Sequence, residues 1–143
     1  MEGPLTRRLF TVAQANDLLP RVERLVLALR DRVAWLQSRP QQVTFMIPER
    51  QVVNEGPVEP EYFRALLMVR SMIQEIDSLG AQVKDLGSGL VDFPSRLHGR
   101  DVLLCWRLGE QRVGFYHDPE SGFSGRQPIP DELRDPRPTE EES

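Results

Sequence analysis

The sequence predicts an α+β domain in which a two-helix antiparallel hairpin packs on a four-stranded antiparallel meander sheet. Three observations carry this. Apolar residues recur at threes and fours across residues 11–38 and again across 60–79. From 82 to 117 the pattern changes to short apolar runs that alternate with polar residues and are divided by glycine-bearing turns. Helices followed by strands in simple order give two layers, with the helices on one face of the sheet.

The first helix starts at Thr11, which is spaced from Gln14 as a capping box requires. Val12, Ala15, Leu18, Leu19, Val22, Leu25, Val26, Leu29, Val33 and Leu36 then fall on one arc. Pro20 lies inside this pattern and lacks a backbone donor, so a kink or irregular turn is expected near Ala15–Leu19. Ser38-Arg39-Pro40 ends the helix. Residues 40–58, punctuated by Pro40, Pro48 and Pro57, read as a connection with one strand-like piece at Val43–Ile47. Glu59-Pro60-Glu61 opens the second helix, with acids at the positive end of its dipole, and Gly80 closes it after Leu79. Tyr62, Leu66, Val69, Ile73 and Ile76 make a seam along it, with Phe63 and Leu67 to one side and Met68, Met72 and Leu79 to the other. So wide an apolar arc, with Leu27 and Trp35 lying off the main stripe of the first helix, predicts a subunit interface on Leu27, Trp35, Leu66, Val69, Ile73 and Ile76.

In the sheet, Gln82–Leu86 and Leu90–Phe93 flank Gly87-Ser88-Gly89 as a hairpin. Pro94–Arg100 reads as a wider link. A second hairpin joins Asp101–Leu108 to Arg112–His117 through Gly109-Glu110-Gln111. In the third strand Val102, Leu104, Trp106 and Leu108 share the helix-facing side. Asp101, Leu103, Cys105 and Arg107 then face solvent, the C-terminal segment or another subunit.

A chain of 143 residues, 28% charged and 39% hydrophobic, is one domain with a core it can bury unaided. Residues 1–127 are assigned to that domain and 128–143 to a disordered, acidic, proline-rich tail. The tail carries Asp131, Glu132, Asp135, Glu140, Glu141 and Glu142 against Arg134 and Arg137, which is the whole of the formal charge of −4. The neutral body lacks the basic footprint of a nucleic-acid binder. One cysteine excludes an internal disulfide. No apolar run, Leu25–Leu29 included, is long enough to span a bilayer, and MEGPLTRRLF does not read as a secretory leader. A soluble cytoplasmic protein is expected, without membrane or nucleic-acid partners.

The segments Phe10-Thr11-Val12, Ala15-Asn16, Leu18-Leu19-Pro20, VKDL at 83–86, GLVDFP at 89–94, LCW at 104–106, Gly109-Glu110 and GFSGRQP at 122–128 together resemble an uncharacterised bacterial family, domain of unknown function 2203. The resemblance covers most of the chain. It departs at Phe115-Tyr116-His117, where the family has an aromatic followed by Trp-His, and at Leu97-His98-Gly99, in place of a more usual Arg-Asp-Gly turn. It brings no activity, substrate or cofactor.

The candidate chemistry therefore rests on side-chain types. Cys105 and His117, with Asp92 orienting the imidazole, would serve as a thiol nucleophile; a lone strand cysteine is also an ordinary small apolar residue. Asp85, Asp92 and His117, with Cys105 and Glu110 within reach on adjacent strands, would hold a divalent metal, although no paired-ligand spacing is present. Lys84, the one lysine, together with Arg107 and Arg126, would bind an anionic small molecule. Set against both is an internal ion-pair network in which Asp85, Asp92 and Glu110 meet Lys84, Arg107 and Arg126. With no closed catalytic constellation, the expected function is a non-enzymatic interaction or scaffold role as a homo-oligomer, with no cofactor. The alternative is a metal- or small-molecule-binding protein or enzyme with His117, Asp92 and Glu110 as its acid–base groups.

Overall fold

In the computed structural model the described residues are 8–39 and 59–134. The expected connection at 40–58 and the last part of the expected tail lie outside them. Helix α1 spans Val12–Gln37 and helix α2 spans Pro60–Leu79. The capping box is present: Gln14 N–H donates to Thr11 Oγ1 at 3.0 Å, and Thr11 N–H donates to Gln14 Oε1 at 2.9 Å. Gly80 ends α2 at φ 99°, a left-handed conformation that glycine adopts without strain. α1 runs through Pro20 as one helix, so the proline does not end it. Pro20 is exposed, so its ring meets solvent rather than packing.

Five strands, not four, form an antiparallel meander: β1 (Gln82–Asp85), β2 (Leu90–Leu97), β3 (Arg100–Arg107), β4 (Phe115–His117) and β5 (Gln127–Pro128). The expected link at Pro94–Arg100 is strand. β2 continues through Pro94 and pairs with β3 as far as Leu97 opposite Arg100. Pro94 is tolerated because β1 has already ended on that side; in its place Phe10 N–H donates to the Pro94 carbonyl at 2.7 Å. His98 and Gly99 alone make the turn, both at positive φ (54° and 77°), as a two-residue hairpin of this hand demands.

The tail boundary also moves. Pro128 belongs to β5, Ile129 is buried in the core, and Asp131–Arg134 form a short helix α3. Polar and proline content alone marked this segment as tail; Ile129, with its N–H bonded to the Gly114 carbonyl at 2.9 Å, docks it.

The core lies between the helices and the inner face of the sheet, where Val91, Phe93, Leu104 and Trp106 meet Val22, Val26, Leu29, Tyr62, Val69 and Ile76. The residues assigned to a subunit interface divide. Leu66, Val69 and Ile76 are buried in this core, so most of their surface is already covered within the chain. Trp35, half-buried, contacts Tyr62 with ring centroids 6.4 Å apart, and Ile73 packs against the same core. Leu27 is exposed, as are Phe63, Leu67 and Met68 beside the seam. No helix among the described residues is long and apolar enough to cross a membrane.

One side chain holds the helical layer to the irregular link before β4. Asn16 Oδ1 accepts from Val113 N–H at 2.8 Å, while Asn16 Nδ2 donates to the Val113 carbonyl at 3.3 Å. Asn16→Ala leaves both backbone groups of buried Val113 without these partners, and a loss of about 1–3 kcal/mol in denaturant unfolding is expected. His98→Asn removes a poorly suited residue from a left-handed position, and a gain of up to ~1 kcal/mol is expected by the same measurement.

Candidate functional site on the outer sheet face

Strand alternation sends one set of side chains to the sheet face away from the helices. Register places Gln82 opposite Asp92, Asp92 opposite Cys105, Cys105 opposite Phe115 and Leu103 opposite His117. Directly paired residues share a face, so Asp92, Cys105 and His117 come together from three adjacent strands. Their ligand atoms all lie within 4.8 Å of one another. An outward face of an antiparallel sheet usually meets water, yet Asp92, Cys105 and His117 are only 1%, 0% and 3% exposed.

His117 Nε2 lies 3.0 Å from Asp92 Oδ2, and His117 Nδ1 lies 2.7 Å from the Asp118 carbonyl oxygen. A carbonyl can only accept, so Nδ1 carries a hydrogen and donates it. Nε2 then faces a carboxylate oxygen, another acceptor. A positive centre must sit between the two, on one partner or the other. Asp92 Oδ1, by contrast, is buried without a hydrogen-bond partner among the described residues. Burial raises the pKa of Asp92, opposed by the charge and hydrogen bond of His117 and by the charge of Lys84. Burial pushes the Cys105 thiol up to about 12, with the Asp92 charge adding to it. A thiol so held is protonated at neutral pH, which removes the nucleophile reading.

Next to this cluster stands one closed ion pair. Arg126 Nη1 is 2.9 Å from Glu110 Oε2, and its Nη2 donates to Glu110 Oε1 at 3.0 Å and to the Cys105 carbonyl at 3.3 Å. The guanidinium lies 3.9 Å from the Phe115 ring centroid and 4.7 Å from that of Phe123. Glu110 is equally committed: its Oε1 accepts from Arg107 N–H at 2.9 Å and its carbonyl accepts from Trp106 Nε1 at 2.9 Å. Glu110 therefore closes the loop after β3 and leaves no role for itself as an acid–base group. This is also why the second hairpin is wider than its sequence indicates.

Of the expected ion-pair network, the Arg126–Glu110 pair forms and the rest does not. Asp85 is exposed and bound to Ser88, taking its hydroxyl at 2.6 Å and its N–H at 3.1 Å, which lowers the Asp85 pKa. It is remote from the metal-ligand role assigned to it, and Cys105 stands in the cluster instead. Lys84 is exposed and acts on Asp92 through its charge. Arg107 is exposed, with its guanidinium 5.7 Å from the Phe123 centroid. Of the three cations, Arg126 alone meets a carboxylate in the expected set.

A family model described as "Uncharacterized conserved protein (DUF2203)" matches residues 8–129, which takes in both helices, all five strands and every residue of the cluster. No curated protein and no solved structure matches the chain.

Cys105 should resist a thiol-reactive reagent at about pH 8 and be labelled only as the chain unfolds. The folded thiol keeps its proton up to about 12, whereas an unfolded thiol loses it near the ordinary range. The stabilising contribution is thus whole below that range and lost as pH rises from it toward about 12, so denaturation midpoints should fall on the alkaline side. Rapid labelling of the native chain would contradict the burial.

Proposed function

Since the chain belongs to the DUF2203 family, whose description names no activity, we propose its function from its surface: a non-enzymatic interaction protein that works as a homo-oligomer. The observation that carries this is the apolar flank of α2. Phe63 and Leu67 are 52% and 47% exposed there. They border a groove of about 440 Å³ completed by Leu66, Val69, Arg70, Ile73 and Gln74.

The flank has a definite place. Glu75 pairs with Arg21 of α1 at 3.4 Å, which marks the side of α2 that faces its neighbour. At about 100° per residue, Phe63 and Arg70 lie roughly a third of a turn from Glu75, on the side turned away. α2 packs over β1, and β1 is a border strand of the sheet. Among the described residues, one border of the domain therefore carries both an apolar helix flank and a strand edge without a partner strand. Each is a liability on a free monomer. A second copy related by a two-fold axis covers both at once, because a two-fold interface sets each patch against itself. The single buried thiol suits work in a reducing cytoplasm.

In light scattering coupled to size exclusion, the wild-type chain is expected at twice the monomer mass or more. Leu67→Glu should reduce it to the monomer with little change in melting temperature, since Leu67 leaves no core cavity. Leu27→Glu serves as the control, because Leu27 lies on α1 and roughly a third of a turn from Arg21, on the side away from α2. A wild-type monomer at every concentration would remove the proposal.

A further inference from the structure

We propose that Asp92, Cys105 and His117 form a binding site for one divalent transition-metal ion of the zinc class. The site is independent of the α2 flank: it lies on the opposite layer of the domain and shares no residue with the groove.

His117 Nε2 and Asp92 Oδ2 lie 3.0 Å apart in the buried cluster. Both ring nitrogens face acceptors, so a positive centre is required there, and a proton is the smallest one. A proton there satisfies Oδ2 alone: Asp92 Oδ1 has no hydrogen-bond partner among the described residues, and the Cys105 thiol offers the carboxylate only its weak S–H. A metal ion in the same place meets the first requirement and also gives Sγ and a second carboxylate oxygen something to bind.

Geometry and charge agree. Ligand atoms about 2.0 Å from a tetrahedral ion are about 3.3 Å from each other, and the Asp92–His117 separation is 3.0 Å. The hydrogen bond from Nδ1–H to the Asp118 carbonyl is the outer-shell contact that fixes a metal-binding imidazole and leaves Nε2 for the ion. One carboxylate, one thiolate and one neutral imidazole bring two negative charges to a dication, so the filled site is neutral and suits a place without water. Arg126 does not upset this balance, because Glu110 neutralises it at 2.9 Å. A mixed sulfur, nitrogen and oxygen set favours zinc or cobalt over magnesium or calcium, which take oxygen ligands. Binding displaces the thiol proton and the proton held between Asp92 and His117, and both pass to solvent as the three metal bonds form.

The full-length chain, purified without chelators, should carry about one zinc-class ion per molecule by elemental analysis. After removal of metal, Co²⁺ should produce a thiolate-to-cobalt charge-transfer band in the near ultraviolet and raise the melting temperature. Cys105→Ser should abolish the band, and His117→Gln should lose the metal. Asp85→Asn, exposed and outside the cluster, should keep both. Circular dichroism checks that each variant is folded; where His117→Gln does not fold, the spectral loss in Cys105→Ser decides. Absence of the band together with no melting shift for Zn²⁺, Co²⁺ or Ni²⁺ in the wild type overturns the proposal. So does a folded Cys105→Ser chain with the unchanged cobalt spectrum.

Discussion

A buried imidazole whose two nitrogens both face oxygen acceptors sets the terms for half of this molecule. His117 cannot stand between Asp92 and the Asp118 carbonyl without a positive centre on its Asp92 side. That requirement in turn demands exact register across β2, β3 and β4, because a one-residue slip of any strand sends its member of the cluster to the other face. The long β2–β3 ladder, paired from Leu90–Arg107 to Leu97–Arg100, fixes Asp92 opposite Cys105. β4 has three residues and little ladder of its own, so its register is held from outside. Asn16 grips Val113 on the way in, and the Arg126–Glu110 pair lies beside Phe115 on the way out.

Those outside contacts also explain how polar groups come to be buried on a face away from the helices. The segment between β4 and β5 carries Phe123 and Arg126, and the Arg126 guanidinium lies over the rings of both Phe115 and Phe123. Arg126 is useful here because its planar, delocalised cation covers an aromatic ring while its fork engages a carboxylate. A lysine could supply the charge but not the cover. Glu110 receives that fork and at the same time closes the β3 exit through Arg107 N–H, so one carboxylate joins the turn to the covering segment.

Much of the fold could be read from the chain because the signals were local. Thr11 and Gln14, Glu59-Pro60-Glu61 and Gly80 are capping devices that act within a few residues, and both helix ends fall where they place them. What could not be read depends on partners far along the chain. Pro94 looks like a strand end until Phe10 is seen to occupy the β1 side of it. Pro128 and Ile129 look like tail until Gly114 and the core receive them. The site follows the same rule. Asp92, Cys105 and His117 were marked by residue type, since a chain with one cysteine and two histidines offers few ligands. Asp85 was marked for the same reason and wrongly: Ser88, three residues on, satisfies it within its own turn. Alternation in β3 put Cys105 on the second face, but nothing local to it announced that this face is covered.

The cluster and the α2 flank ask different things of the fold, and their separation is informative. The three cluster side chains are buried and come from three neighbouring strands. A positive centre held among them joins the middle strands of the sheet at one point. Joining β2, β3 and β4 stiffens the layer on which α1 and α2 rest, and a helix flank can present a fixed surface only if the sheet under it does not shear. On this view the polar half of the chain is the support and the apolar flank of α2 is the working surface, with Trp106, Phe93 and Leu104, all fully buried between the layers, carrying the load from one to the other.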